Sequence, residues 1–205
     1  MRREVIIERL SAHKEGINPV SSGLSGRGDH DLNPGMPPPK DLTLAAVLVP
    51  IVDRPEGMTV LLTQRTEHLN AHAGQISFPG GRLESDDDGP EAAALRETEE
   101  EVGLKPDRVS VVGRLDLYIT RTGYEITPVV GIIDPPFEVT PDSFEVAEVF
   151  EVPLAFLVDR ANHQRHSRYY KGARRQFYAM PYDGRYIWGA TAGMLVNLAD
   201  VLGAP

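Results

Sequence analysis

Glu97, Glu100 and Glu101 are the residues of this chain whose type and spacing best suit chemistry. Positions three and four apart on an α-helix share a face. The spacing therefore predicts three carboxylates pointing the same way. Such carboxylates repel one another, and a hard divalent cation that takes oxygen ligands, Mg²⁺ or Mn²⁺, relieves the repulsion. The same cation binds phosphates and activates water, so the implied chemistry is attack of water on phosphorus. Upstream, Gly80-Gly81 lets backbone come close to an ion or a phosphate, because no Cβ intrudes. The charge is concentrated here: Glu84 to Glu101 holds nine acidic residues and one basic residue, Arg96, against a net charge of −9 for the whole chain. An acidic run by itself is most often a solvated helix face. Arg96 ahead of it, Gly103-Leu104 behind it and the diglycine upstream are what raise this one above that reading.

The glutamates need a helix, and Pro90 to Val102 has the signals of one. Asp87 or Asp88 can cap it, Pro90 suits the first turn and Gly103 the stop. Ala92, Ala93, Leu95, Thr98 and Val102 form its expected packing side. Strands are expected at Leu44 to Val52, Thr59 to Thr63, Gly74 to Phe78, Val109 to Leu117 and Glu125 to Ile133. Ser143 to Phe150 is short and mixed, and Pro153 to Val158 reads as a helical turn. A hairpin around Asp183-Gly184 and a final helix, Ala190 to Leu202, complete the chain. Residues 1 to 13 read as a short amphipathic helix. Lys14 to Lys40, rich in Gly, Ser, Asn and Pro, carries no signal of packed secondary structure. Residues 1–40 are thus expected to be a helix and arm, and 41–205 the main domain. The arm would drape over the core or over a partner chain, which leaves a homodimer open. Strands and helices mix without strict alternation, so the expected class is α+β, a mixed sheet sandwiched between helices.

Composition removes several functions. There is no cysteine, which excludes disulfides, thiolate metal sites and cysteine nucleophiles, and fits a reducing cytoplasm. The net charge argues against general nucleic-acid binding. No run approaches the roughly 20 apolar residues of a membrane helix, and the N-terminus lacks the features of a signal peptide.

The segment from Gly80 to Leu104 resembles the Nudix box, whose family pattern is G-x5-E-x7-R-E-U-x-E-E-x-G-U, with U a bulky aliphatic. Arg96, Glu97, Glu100, Glu101, Gly103 and Leu104 match. Counted back from Arg96, the glycine falls on Arg82 and the first glutamate on Asp88, so Gly81 stands one residue early. Thr98 replaces an aliphatic. The resemblance implies the Nudix fold, with Glu97 and Glu101 as metal ligands, Glu100 as further ligand or base, and Arg96 orienting a glutamate by a salt bridge.

Leu61-Leu62-Thr63-Gln64-Arg65, followed by Gly74-Gln75-Ile76-Ser77-Phe78-Pro79-Gly80-Gly81, resembles the L-L-T-x-R … G-x-x-x-F-P-G-G signature of the family's coenzyme A pyrophosphatase branch. Asn70 stands where that signature often has arginine. Glu148 to Leu154 and Tyr186 to Ala192 are similar to the same branch. The resemblance implies metal-dependent hydrolysis of coenzyme A, or its acyl esters, to 3′,5′-ADP and 4′-phosphopantetheine. Such a substrate needs cations for its phosphates. Arg65 is the first candidate, equally readable as an exposed strand charge, and Arg82 is the second, though it reads more readily as a loop charge neutralising Glu84 and the aspartates. Gly80 and Gly81 would line the substrate. Glu145 or Glu148 would supply another carboxylate and a general base. Arg165, Arg168, Lys171, Arg174 and Arg175 make a basic stretch that reads as a solvated loop. His68 and His72 have the spacing of zinc ligands without an evident third. Hydrolysis of another nucleoside diphosphate derivative, or a non-catalytic ligand-binding Nudix domain, are the alternatives.

Overall fold

The structure, a computed structural model, describes residues 1–14, 27–35, 39–69, 72–170 and 172–203. In chain order its elements are α1 (Arg3–Lys14), β1 (Arg27–Gly28), β2 (Thr43–Val52), β3 (Thr59–Arg65), β4 (Ile76–Ser77), β5 (Gly80–Arg82), α2 (Pro90–Val102), β6 (Val109–Arg114), β7 (Tyr118–Ile119), β8 (Tyr124–Ile133), β9 (Val146–Pro153), α3 (Leu154–Val158), β10 (Gln164–Tyr170), β11 (Ala173–Tyr182), β12 (Arg185–Trp188) and α4 (Ala190–Val201).

The apolar run of β2 explains the layering. A strand covered on both faces reads as a continuous hydrophobic stretch. Ala46 and Leu48 pack with Ala93 and Ala94 of α2, and Val52 packs with Val102. Val49 and Ile51 point the other way, into a cluster with Ile6 and Leu10 of α1, Leu154 and Leu157 of α3, and Leu195 and Leu198 of α4. The result is a mixed sheet between helical layers, the α+β sandwich expected. Among the described residues no helix is long and apolar enough to cross a membrane.

β2 also organises the sheet. One edge pairs in parallel with β8 along its whole length, from Thr43↔Tyr124 to Val52↔Ile133. The other edge is shared: β3 pairs with one end through Ile51↔Val60, and β5 with the other through Ala46↔Gly81. β9 then pairs with the far side of β3. The diglycine is therefore itself a strand, laid against the same edge as β3. β10, β11 and β12 form a separate antiparallel sheet.

Several expectations need correction. Lys14 to Lys40 does contain packed structure: β1 pairs in parallel with β7, and Asn33 is buried, bonding both the carbonyl and the N–H of Gln176. Its middle, residues 15–26, lies outside the described residues. Val109 to Leu117 is interrupted, and the chain resumes as β7. Ser143 to Phe150 becomes the long strand β9, because its partners Leu61 and Thr63 lie far back in sequence. The basic stretch from Arg165 is a strand paired with β11, not a loop; Lys171 lies outside the described residues, as does Asn70.

Gly193 of α4 shows how closely the layers meet. A Cβ there would stand 2.5 Å from the Tyr118 ring, whose hydroxyl donates to Asp29 Oδ1 at 2.9 Å. Gly193→Ala should lower stability by about 1–3 kcal/mol through overpacking, measured as a lower urea midpoint. Its effect should be less than additive with Tyr118→Ala, which removes the obstacle.

Candidate active site

The fold gathers the candidate residues at the split edge of β2. Side chains alternate along a strand, so Leu61, Thr63 and Arg65 of β3 share the face that α2 covers. A register shift between Gln64 and Arg65 in the pairing with β9 adjusts where Arg65 points. Its Nη1 lies 3.4 Å from Glu101 Oε1 and its Nη2 3.6 Å from Glu145 Oε2. Glu101 Oε2 also accepts the N–H of Gly80 at 3.3 Å. The β9 approach is fastened to α2: Thr140 N–H and Asp142 N–H donate to the Val102 and Glu101 carbonyls at 2.7 and 2.9 Å. Helix, diglycine strand, β3 and the Glu145 segment thus converge on one carboxylate.

Glu97 lies one helical turn earlier and faces the diglycine. A Cβ on Gly81 would fall 2.4 Å from the Glu97 carboxylate, so only glycine leaves this space. Arg96 holds the other side. Its Nη1 donates to Glu97 Oε1 at 3.0 Å, its Nη2 to the Arg82 carbonyl at 3.2 Å, and its Nε and Nη2 form a fork on Asp87 at 3.0 and 2.9 Å. That fork, with the Glu84 N–H, pulls the Asp87 carboxyl down to about 2. Burial acts oppositely on the metal-ligand candidates. Desolvation pushes Glu101 up to about 7, with Glu145 and Glu97 adding repulsion and Arg65 and the Gly80 N–H opposing it. Burial also raises Glu97.

The NUDIX domain family matches residues 42–172. The chain is similar to the uncharacterized Nudix hydrolase NudL of Escherichia coli K12, 44% identical over 159 residues, which are 78% of this chain and 82% of the relative. The strain IAI39 relative of the same name matches at the same identity and coverage. The chain belongs to the Nudix hydrolase family. Among solved structures it is similar to a MutT/nudix family protein from Enterococcus faecalis, with 14% identity, coverage of 94% of this chain and 66% of that one, and a TM-score of 0.47. It is also similar to an Ap4A hydrolase of C. elegans, with 20% identity, coverage of 55% and 81%, and a TM-score of 0.46.

As a Nudix hydrolase it is an enzyme of phosphorus-containing anhydrides. Its structure brings Glu97, Glu101, Arg65, Arg96, Gly80, Gly81 and Glu145 together. Glu100 is the most exposed of the three, with a side chain 61% exposed, and it shares Arg96 Nη1 with Glu97, at 3.4 and 3.0 Å. Among the described residues no three carboxylates or histidines stand close enough to close on one ion; Arg65 pairs with Glu101 and Glu145, and Arg96 with Glu97 and Glu100. Glu148 points elsewhere, to Arg185 at 2.5 Å. His68 packs on Phe144 and His72 bonds Gln75. Arg82 bonds the Tyr124 hydroxyl at 3.1 Å rather than the nearby acids.

Three details of α2 correct the sequence reading. Neither Asp87 nor Asp88 caps the helix; the N-cap is Gly89, at φ 101°, without a side-chain bond. Its buried side is Ala93, Ala94, Thr98, Glu101 and Val102. Thr98 replaces the family's aliphatic by donating its hydroxyl to the Ala94 carbonyl at 2.6 Å. Asp87 is the residue that sequence reasoning misassigned. Counting forward from Gly81 by the family's G-x5-E spacing lands on it, and that count was the available signal.

The Glu101 shift has a thermodynamic sign. Its folded pKa, about 7, lies above the ordinary 4.5, so the folded protein keeps a proton that the unfolded chain releases. This contribution is full below about 4.5 and lost as pH rises through about 7. In the presence of a chelator, Glu101→Gln should therefore be more stable than wild type at pH 8, by an amount of order 2 kcal/mol. The advantage should fade toward pH 5, as read from thermal melts across that range. A constant difference between the two proteins would refute the assignment.

Proposed function

We propose that this enzyme hydrolyses the diphosphate linkage of coenzyme A or acyl-coenzyme A, giving 3′,5′-ADP and (acyl-)4′-phosphopantetheine. The observation that carries the reading is the cleft beside the glutamates, lined at that end by the diglycine and by Arg65, the partner of Glu101. It has a volume of about 520 Å³, begins at Arg65, Gly80 and Gly81, and runs between Tyr124, Trp188 and the arginines Arg82, Arg121, Arg168 and Arg175. A site of this size with aromatic walls and several guanidinium groups suits a nucleotide with more than one phosphate. The signature from Leu61 to Gly81 supports the same reading, because it builds the mouth of the cleft. Leu61, Leu62 and Phe78 are buried supports, and Arg65, Gly80 and Gly81 are the lining.

The donor set suits Mg²⁺ or Mn²⁺. All the candidate ligands are carboxylates, Glu101 is buried among like charges, and the absent Gly81 Cβ leaves the Glu97 carboxylate its place beside the diglycine strand. Glu97 and Glu101, with Glu100 turned inward, would hold the ion. When bound, it would neutralise diphosphate charge and lower the pKa of a water. Arg96 orients Glu97 by donating to its Oε1. Arg65 has carboxylates to exchange for diphosphate oxygens, and Arg82 stands at the mouth for the same task. Glu145, held beside Glu101 by Arg65, would take the proton of the attacking water. The water oxygen bonds to phosphorus as the bridging P–O bond breaks, and the bridging oxygen leaves with the other phosphate. We place this activity in the cytoplasm, in keeping with a cysteine-free chain.

A panel of coenzyme A, ADP-ribose, NADH and diadenosine polyphosphates, each with Mg²⁺ and with Mn²⁺, tests the substrate. Coenzyme A should lead in kcat/KM by about tenfold or more, with 3′,5′-ADP identified chromatographically. Preference for ADP-ribose would sink the substrate assignment and leave the family intact. Glu101→Gln should lower kcat by more than about a hundredfold while circular dichroism stays unchanged.

A further inference from the structure

The cleft that Arg65, Gly80 and Gly81 line is also lined by the turn from Thr120 to Tyr124. Arg121 lines the cleft, yet its Nη1 is buried and has no hydrogen-bond partner among the described residues. A buried guanidinium N–H without an acceptor is costly, and native structures rarely leave one so. The backbone around it is held firmly. Arg121 N–H donates to Asp29 Oδ2 at 2.9 Å. The Thr120 hydroxyl accepts from Tyr124 N–H at 3.0 Å and lies 3.0 Å from the Thr122 hydroxyl. Asp29 is fixed in turn by Tyr118, and the chain just after it by Asn33, which bridges to β11. The backbone that carries this donor is held before any ligand arrives, which reduces the cost of binding.

The same cleft is lined by Trp188, with the Arg168 guanidinium 4.7 Å from its ring centre and Phe177 packed at its edge. Gln176, Phe177 and Trp188 of the second sheet also line the cleft. The cleft thus combines a cation on a hydrogen-bonded turn with an aromatic surface on which a base can stack.

We propose that Arg121 is a specificity-determining residue that binds a phosphomonoester on the ribose of the nucleotide, at a subsite separate from the diphosphate. This rests on the coenzyme A reading, in which the substrate carries a 3′-phosphate. The subsite distinguishes nucleotides with a ribose phosphate from those without one.

The test is binding, not turnover. Calorimetry compares 3′,5′-ADP with 5′-AMP on the full chain, and the fluorescence of Trp188, the sole tryptophan, gives a second readout. Wild type should bind 3′,5′-ADP about tenfold tighter or better. Arg121→Ala should bring that ratio to within about threefold of one, and Arg121→Lys should restore part of it. Arg82→Ala, at the cleft mouth, should leave the ratio in place. The proposal is overturned if wild type shows no preference, if folded Arg121→Ala keeps it, or if Arg82→Ala removes it equally. Should Arg121→Ala unfold, Arg121→Gln supplies the same comparison. Failure to hydrolyse coenzyme A with the ratio intact would remove the substrate reading and leave the subsite. Hydrolysis of coenzyme A with a ratio that Arg121→Ala leaves unchanged would do the reverse.

Discussion

The structure turns on burying the carboxylate of Glu101. A helix face that must pack against the sheet also has to carry an ionisable group beside Glu97 and Glu145. An unpaired buried charge is far more costly than an exposed one, so every neighbouring element contributes something to it. β3 supplies Arg65, β5 supplies the Gly80 N–H, and the segment before β9 closes the helix C-terminus while bringing Glu145 within reach of Arg65. These contacts offset the burial only in part, because the carboxyl still titrates near 7. That unrelieved electrostatic demand is what a divalent cation would satisfy.

The topology follows from the same demand. If β3 ran along the whole edge of β2, the diglycine strand would have nowhere to pair, and Gly80 could not reach Glu101. By dividing that edge, β2 places Arg65 and Gly80 on opposite sides of the helix end. The opening between them is the mouth of the cleft. The second sheet and the Thr120–Tyr124 turn then build the walls. The glutamates thus lie on α2, while the cleft is walled by β5, the Thr120–Tyr124 turn and the second sheet.

What could be read from the sequence was local or periodic. The helix from Pro90 to Val102 was legible because its proline, its glycine stop and its glutamate spacing are all short-range signals. The layers were legible from the apolar run of β2. The position of Glu100 was not: a helical face is about a third of the circumference, and only packing decides which of its edges turns inward. β9 and β10 were missed because their pairing partners are distant or their side chains polar, and strand preference depends strongly on such context. Arg121 was invisible for a further reason. Its importance comes from a donor left without an acceptor, and no count along the chain reports that.

Arg96 shows how structure can repair a motif that looks damaged. Counted backward from Arg96, the box seems stretched ahead of Gly81. Counted forward from Gly81, the acidic position falls on Asp87, and Asp87 is the carboxylate that Arg96 grips with two hydrogen bonds. The extra residue therefore lies between Asp87 and the helix, where Asp88 and Gly89 make the entry. Gly89 takes a positive φ there that other residues rarely adopt, with open space around it. A one-residue insertion at that point costs little, because a loop absorbs it before the first helical turn. Moved into α2 ahead of Arg96, it would rotate Arg96, Glu97 and Glu101 together by about 100° relative to the start of the helix and take them off the diglycine. The spacing that the chemistry requires is thus conserved on either side of the insertion, and the fork between Arg96 and Asp87 rejoins the two halves.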